Sequence, residues 1–171
     1  MSVAKSVTST LIGAAVKDGP IHSIDDPVVR YIPELKGTAY DDVTIRHLVT
    51  MSSGVRYKED VVDQHSDVAL AGGEEMVDGV PPLVAYAKRL DREATPGMRR
   101  NYKTIDADML GILLSRALKG RTLADCISEK IWQPFGMEAD ASWIVDKAGI
   151  ERGGCCLSIT LRDHARRSIE S

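Results

Sequence analysis

Apolar residues recur at helical spacing from the start of the chain. Val3, Val7, Leu11 and Ala14 form one stripe, which predicts a helix from Ser2 to Val16. Asp18-Gly19-Pro20 supplies its stop. Asp26-Pro27 has the form of an N-cap with proline at the first helical position, and Pro33 closes the short turn that follows. Thr44 opens a helical stretch to Met51, ended by Ser52-Ser53-Gly54. Pro81-Pro82 opens another, running to Arg92 with Leu83, Tyr86, Ala87 and Leu90 on one side. The strongest pattern begins at Thr104, read as a cap, and ends at Gly120, with Ile105, Met109, Ile112, Leu113 and Ala117 turned inward. Asp106 and Asp108 fall in its first turn, where the helix dipole favours anions. Thr122 with Asp125, and Thr160 with Asp163, are capping-box pairs for two further helices.

Alternating strand patterns are scarce, with short pieces near Ala141 to Val145 and Cys155 to Ile159. The polar stretch from Tyr57 to Gly79, with Gly72-Gly73 inside it, reads as a variable surface excursion with some helix. The pattern predicts a mostly α chain. It begins at the first turn of one helix and stops inside another, so it reads as a fragment of a larger fold.

Composition narrows the function classes. The 171 residues suit one domain, and the net charge of −3 argues against nucleic acid as the main partner. No apolar run approaches the roughly 18 residues of a membrane span. His22, His47, His65 and His164 are scattered, and no metal or organic cofactor is called for. Arg162, Arg166 and Arg167 form a small basic face near the end of the last helix. The three cysteines, Cys126, Cys155 and Cys156, make an odd count with two adjacent, read as reduced thiols in a cytoplasmic compartment. No leader peptide is visible.

One tetrad carries chemistry. Ser2-Val3-Ala4-Lys5 is an S-x-x-K pattern at a helix start, and its serine and lysine share a helix face. A serine hydroxyl becomes a good nucleophile only when a base takes its proton. An amine that is partly desolvated at the positive end of a helix can be that base. Taken alone, the tetrad reads as an exposed helix start rather than a nucleophile, and Tyr102 as a packed aromatic at a helix entrance.

The order of motifs resembles a known family. After the S-x-x-K come Asp26-Pro27-Val28, Tyr31, Pro33-Glu34-Leu35 and Thr44-Ile45-Arg46-His47-Leu48, leading to Met51-Ser52-Ser53-Gly54. Pro96-Gly97, Asn101-Tyr102, Leu110-Gly111, Ile131-Trp132-Gln133-Pro134-Phe135-Gly136-Met137 and Gly153-Gly154 follow. This set is similar to the serine β-lactamase-related hydrolases: class C β-lactamases, penicillin-binding carboxypeptidases, and related esterases and 6-aminohexanoate-dimer hydrolases. The Met-Ser-Ser-Gly stretch and Asp140-Ala141-Ser142-Trp143 lean toward the last two.

The resemblance implies the helical middle portion of an α+β fold with most sheet strands missing. It implies Ser2 as acylated nucleophile, Lys5 as its base, Tyr102 as the phenol that passes a proton to the leaving group, and a small ester or amide as substrate. In place of the family's usual Tyr-x-Asn or Tyr-x-Ser stands Tyr102-Lys103-Thr104, so Thr104 is either a substrate-binding hydroxyl or a helix cap. The third motif, Lys-Thr-Gly or its His-x-Gly equivalent, is absent. The rival reading is a non-catalytic remnant that folds as an oligomer or against a partner, because uncovered apolar faces invite self-association. A third is an unrelated helical binding domain with a chance S-x-x-K.

Overall fold

In a computed structural model, residues 2–169 are described. The helices are α1 (Val3–Asp18), α2 (Ile45–Val49), α3 (Asp67–Gly73), α4 (Pro82–Ala87), α5 (Thr104–Ala117), α6 (Leu123–Ile127) and α7 (Leu161–Ile169). Two 3-10 turns, Val28–Arg30 and Pro33–Leu35, join α1 to α2, and α6 runs into a π-helical turn at Ser128–Trp132. The described residues hold one sheet, of two short antiparallel strands. β1 (Ser142–Trp143) pairs with β2 (Leu157–Ser158), Ser142 opposite Ser158. The chain is thus mostly α. Among the described residues no helix is long and apolar enough to cross a membrane.

The architecture is organised around α5. Every residue from Thr104 to Leu114 is buried, the pattern of a helix with neighbours on all sides. α1, α2, α4 and α6 pack against it. The buried stripe of α1 is Ala4, Val7, Leu11, Ile12 and Ala15, with Val3 and Ala14 only at its margins. Two polar residues, Lys5 and Thr8, lie on that same buried face.

Local signals and tertiary pairing account for the helix ends. Gly19 closes α1 in the left-handed conformation at φ 97°, its N–H donating to the Ala15 carbonyl. Thr44 and His47 form a reciprocal capping box for α2, and Thr122 with Asp125 does so for α6. At α7 the Asp163 carboxylate accepts from the Thr160 hydroxyl and from the Glu138 and Ala139 amides. These bonds hold its carboxyl below the usual carboxylate range and tie α7 to the loop after the π turn.

Four expectations are corrected. Asp26 does not cap a helix: Pro27 is extended and bridges to Thr44, while the Asp26 carboxylate accepts from the Tyr31 hydroxyl at 2.7 Å. Pro33 opens a second 3-10 turn rather than closing the first. α4 ends at Ala87, short of Arg92, because residues 91–94 run alongside 54–56. There Arg56 N–H donates to Asp91 O and Glu93 N–H to Gly54 O. The stretch 57–79 is not all surface, since Tyr57, Ser66 and Ala71 are buried and α3 lies within it.

The first turn of α5 also departs from expectation. Dipole attraction alone would keep Asp106 ionised, but the residue is fully enclosed. Burial pushes its carboxyl up to about 7 despite the Lys103 ammonium and the Ser53 hydroxyl, which donates at 2.9 Å. Its Oδ2 has no partner. Lys103 is itself buried and donates to the Val55 carbonyl.

A carboxyl that binds its proton more tightly when folded contributes stability at low pH. The contribution fades as pH rises from the unfolded carboxylate range toward 7, because the unfolded chain releases the proton first. Asp106→Asn should therefore raise stability relative to the parent by on the order of a few kcal/mol at pH 8, and by much less at pH 5. Urea denaturation of both proteins at the two pH values measures this; a difference independent of pH would show that Asp106 does not titrate with folding.

Candidate active site

The amine of Lys5 is where α1, α5 and the loop before β2 meet. Nζ donates to the Gly154 carbonyl at 2.6 Å, to the Thr104 hydroxyl at 3.1 Å and to Ser2 Oγ at 3.4 Å. It lies 5.0 Å from the centroid of the Tyr102 ring, so Tyr102 meets it through its π face. Lys5 is 9% exposed, whereas Tyr102 is 46% exposed and Ser2 stands at the surface. The structure thus brings Ser2, Lys5, Tyr102 and Thr104 together from two regions about a hundred residues apart. Thr104 is the first residue of α5, and Lys103 is the residue before the helix, with no side-chain cap bond.

The loop that supplies the Gly154 carbonyl is locked from below. The Gly154 N–H donates to Asp108 Oδ1 at 2.9 Å, and the Arg152 guanidinium pairs with the same carboxylate at 2.9 Å. Burial pushes the Asp108 carboxyl up, opposed by Arg152 and by the Gly154 amide. The Gly153 carbonyl accepts from the Thr8 hydroxyl at 2.9 Å. Both glycines are required by close approach. A Cβ on Gly153 would lie 2.5 Å from the Ala107 carbonyl oxygen, and one on Gly154 2.6 Å from Thr104 Cγ2.

Two features escaped the sequence reading. The first is Glu59, inside the stretch read as an excursion. Its carboxylate accepts the Thr104 amide at 2.7 Å and also the Thr104 hydroxyl. Nothing local marks it, because it reaches Thr104 across 45 residues of chain. The second corrects the reading of three reduced thiols. Cys155 and Cys156 form a disulfide directly after Gly154, and Cys126 alone is free. The adjacent pair is accommodated by a left-handed Cys156 at φ 69°.

Three of the other residues singled out in the sequence have partners elsewhere in the fold. His47 belongs to the α2 cap. Arg162 and Arg166 pair with Glu138, while the side chain of Arg167 lies outside the described residues. No grouping of His, Cys, Asp or Glu among the described residues could hold a metal ion.

This frame, a Ser-x-x-Lys helix packed on a buried second helix, is the helical part of a β-lactamase-type fold. The beta-lactamase family profile matches residues 1–153, and the chain belongs to that family. It is 30% identical to the 6-aminohexanoate-dimer hydrolase of Paenarthrobacter ureafaciens, over 97% of this chain and 43% of that enzyme. It is 27% identical to a beta-lactamase of Yersinia enterocolitica, over 80% of this chain and 31% of that protein. Among solved structures, a protein assigned as a 6-aminohexanoate-dimer hydrolase in Bacillus anthracis superposes with a TM-score of 0.82 at 27% identity. That match covers 97% of this chain and 45% of the other. The chain therefore spans less than half the length of these relatives.

The glycine contacts make a direct test. Gly154→Ala should cost about 1–3 kcal/mol, the usual range for forcing extra volume into a packed site. Gly72→Ala, inside α3 where an added Cβ meets nothing within 4 Å, should be neutral or stabilise by up to about 1 kcal/mol, because alanine favours a helix over glycine. Urea midpoints of the two variants compare them; equal values would mean that the 153–154 loop yields freely.

Proposed function

We propose that the chain carries the acyl-transfer half of a serine hydrolase acting on small esters or amides. The observation that carries this reading is the placement of the Lys5 amine between Ser2 Oγ, Thr104 Oγ1 and the Gly154 carbonyl. Family membership supports it, since relatives at 27–30% identity are named as a 6-aminohexanoate-dimer hydrolase and a beta-lactamase.

In this reading Ser2 Oγ attacks the substrate carbonyl carbon while the neutral Lys5 amine takes the hydroxyl proton. Negative charge then develops on the carbonyl oxygen, at the head of α1, where the positive end of the helix dipole favours it. The tetrahedral species collapses, the bond to the leaving group breaks, and Tyr102 supplies the proton that an amine or alkoxide needs to depart. Water attacks the acyl-serine in the second half, with the proton transfers reversed. The 3.4 Å separation of Ser2 Oγ and Lys5 Nζ is long for a hydrogen bond, as is common before substrate tightens a site.

Two measurements test the reading. Incubation with a fluorophosphonate or a p-nitrophenyl ester should add one adduct by intact-protein mass spectrometry. Ser2→Ala should abolish the adduct, and Lys5→Ala should slow its formation by about 10²- to 10⁴-fold. Absence of any adduct on the folded chain rejects the reading in favour of a non-catalytic remnant. Tyr102→Phe should slow acylation by an alkyl ester or an amide far more than by a p-nitrophenyl ester, because nitrophenolate leaves without protonation. Equal slowing of both would remove Tyr102 from the proton-donor role.

A further inference from the structure

Thr104 presents three hydrogen-bonding groups to its surroundings, and the site uses all of them. Its amide donates to Glu59 Oε2 at 2.7 Å, and its hydroxyl proton goes to Glu59 Oε1. A carboxylate can only accept. With the hydroxyl proton committed to Glu59, the Thr104 oxygen can serve Lys5 only as an acceptor, at 3.1 Å. The Gly154 carbonyl, at 2.6 Å, is likewise an acceptor only.

A neutral amine has two N–H donors and one lone pair. Both donors are claimed here, by Thr104 and by Gly154. The third position faces Ser2 Oγ at 3.4 Å: in the ammonium it carries the third proton, and in the neutral amine it is the lone pair. Without a fixed acceptor on Thr104, its hydroxyl is free to turn its proton toward the amine. The lone pair would then be consumed by Thr104 rather than by Ser2.

We propose that Glu59 is a positioning residue for the Lys5 amine: by taking both protons of Thr104 it makes that hydroxyl an obligate acceptor and turns the amine lone pair toward Ser2. This rests on the acyl-serine reading above and adds to it a residue from the 57–79 stretch. Glu59 also adds negative charge near the ammonium that forms when Lys5 takes the proton. The other charged or titratable groups around the pair are Asp108 with its partner Arg152, Tyr57 and Tyr102. A purely structural alternative is that Glu59 only satisfies the first amide of α5.

A double-mutant cycle separates the two roles. Glu59→Gln and Thr104→Val should each slow fluorophosphonate labelling of Ser2 by about 10- to 100-fold, the usual cost of a misplaced catalytic group. The double variant should be no slower than Thr104→Val alone, because Glu59 acts through the hydroxyl. Thermal melts by circular dichroism confirm that each variant is folded. Parent-like labelling in Glu59→Gln, or losses that simply multiply in the double variant, would overturn the proposal. If Glu59→Gln does not fold, Thr104→Val alone decides, since unchanged labelling there removes the link.

A second readout does not depend on acylation. The 13Cε resonance of Lys5, followed against pH, should titrate with a lower midpoint in Glu59→Gln than in the parent, as a nearby negative charge is removed. An unmoved midpoint overturns the proposal even where labelling falls. A moved midpoint in a chain whose Ser2 never labels would leave the positioning role standing while the acyl-serine reading fails.

Discussion

A lysine amine enclosed between two helices is tolerable only when each of its protons has somewhere to go. In this chain the Gly154 carbonyl and the Thr104 hydroxyl take two of them, and Ser2 Oγ lies within reach of the third. Meeting that requirement dictates much of the surrounding geometry. The loop at residues 152–154 must come within contact of α5, which only glycine permits at 153 and 154. The loop must also stay there, which the buried Asp108 secures by holding both Arg152 and the Gly154 amide.

α5 is consequently both core and scaffold. Its apolar residues fill the centre of the molecule, and its first turn holds three groups a hydrophobic helix would not need. Thr104 faces the amine, Asp106 faces Ser53 and Tyr40, and Asp108 faces Arg152. Enclosing two carboxylates in one turn is costly. The fold offsets the cost differently at each: Asp108 receives a guanidinium and a backbone amide, while Asp106 holds its proton to about pH 7. Of these groups, Thr104 contacts the Lys5 amine directly, and Asp108 holds the loop whose carbonyl that amine reaches.

The stretch from residue 57 to 79 shows how a variable-looking segment can belong to a site. Tyr57 turns inward, its phenol pushed far up by burial, and Tyr86 of α4 pins the start of α3 by donating to Asp67 at 2.6 Å. Between those anchors Glu59 reaches Thr104. The disulfide at Cys155–Cys156 lies directly after the Gly154 carbonyl.

Local chemistry determined a good deal from the sequence alone. The α1 periodicity, the helix start at Thr44, the capping pairs at Thr122 and Thr160, the two short strands and the Ser-x-x-Lys tetrad are each written within a few consecutive residues, because helix capping and helical spacing are short-range effects. Motif order carried the family. The path of residues 91–94, the burial of Asp106 and Asp108, the reach of Glu59 and the pairing of Cys155 with Cys156 were decided only by tertiary structure. Each depends on a neighbour distant in sequence, or on a left-handed backbone residue that composition does not announce. The same long-range packing sets the hydrogen bonds of Thr104. A threonine at a helix start reads equally as cap or ligand, and only the arrival of Lys5 from one side and Glu59 from the other committed its hydroxyl.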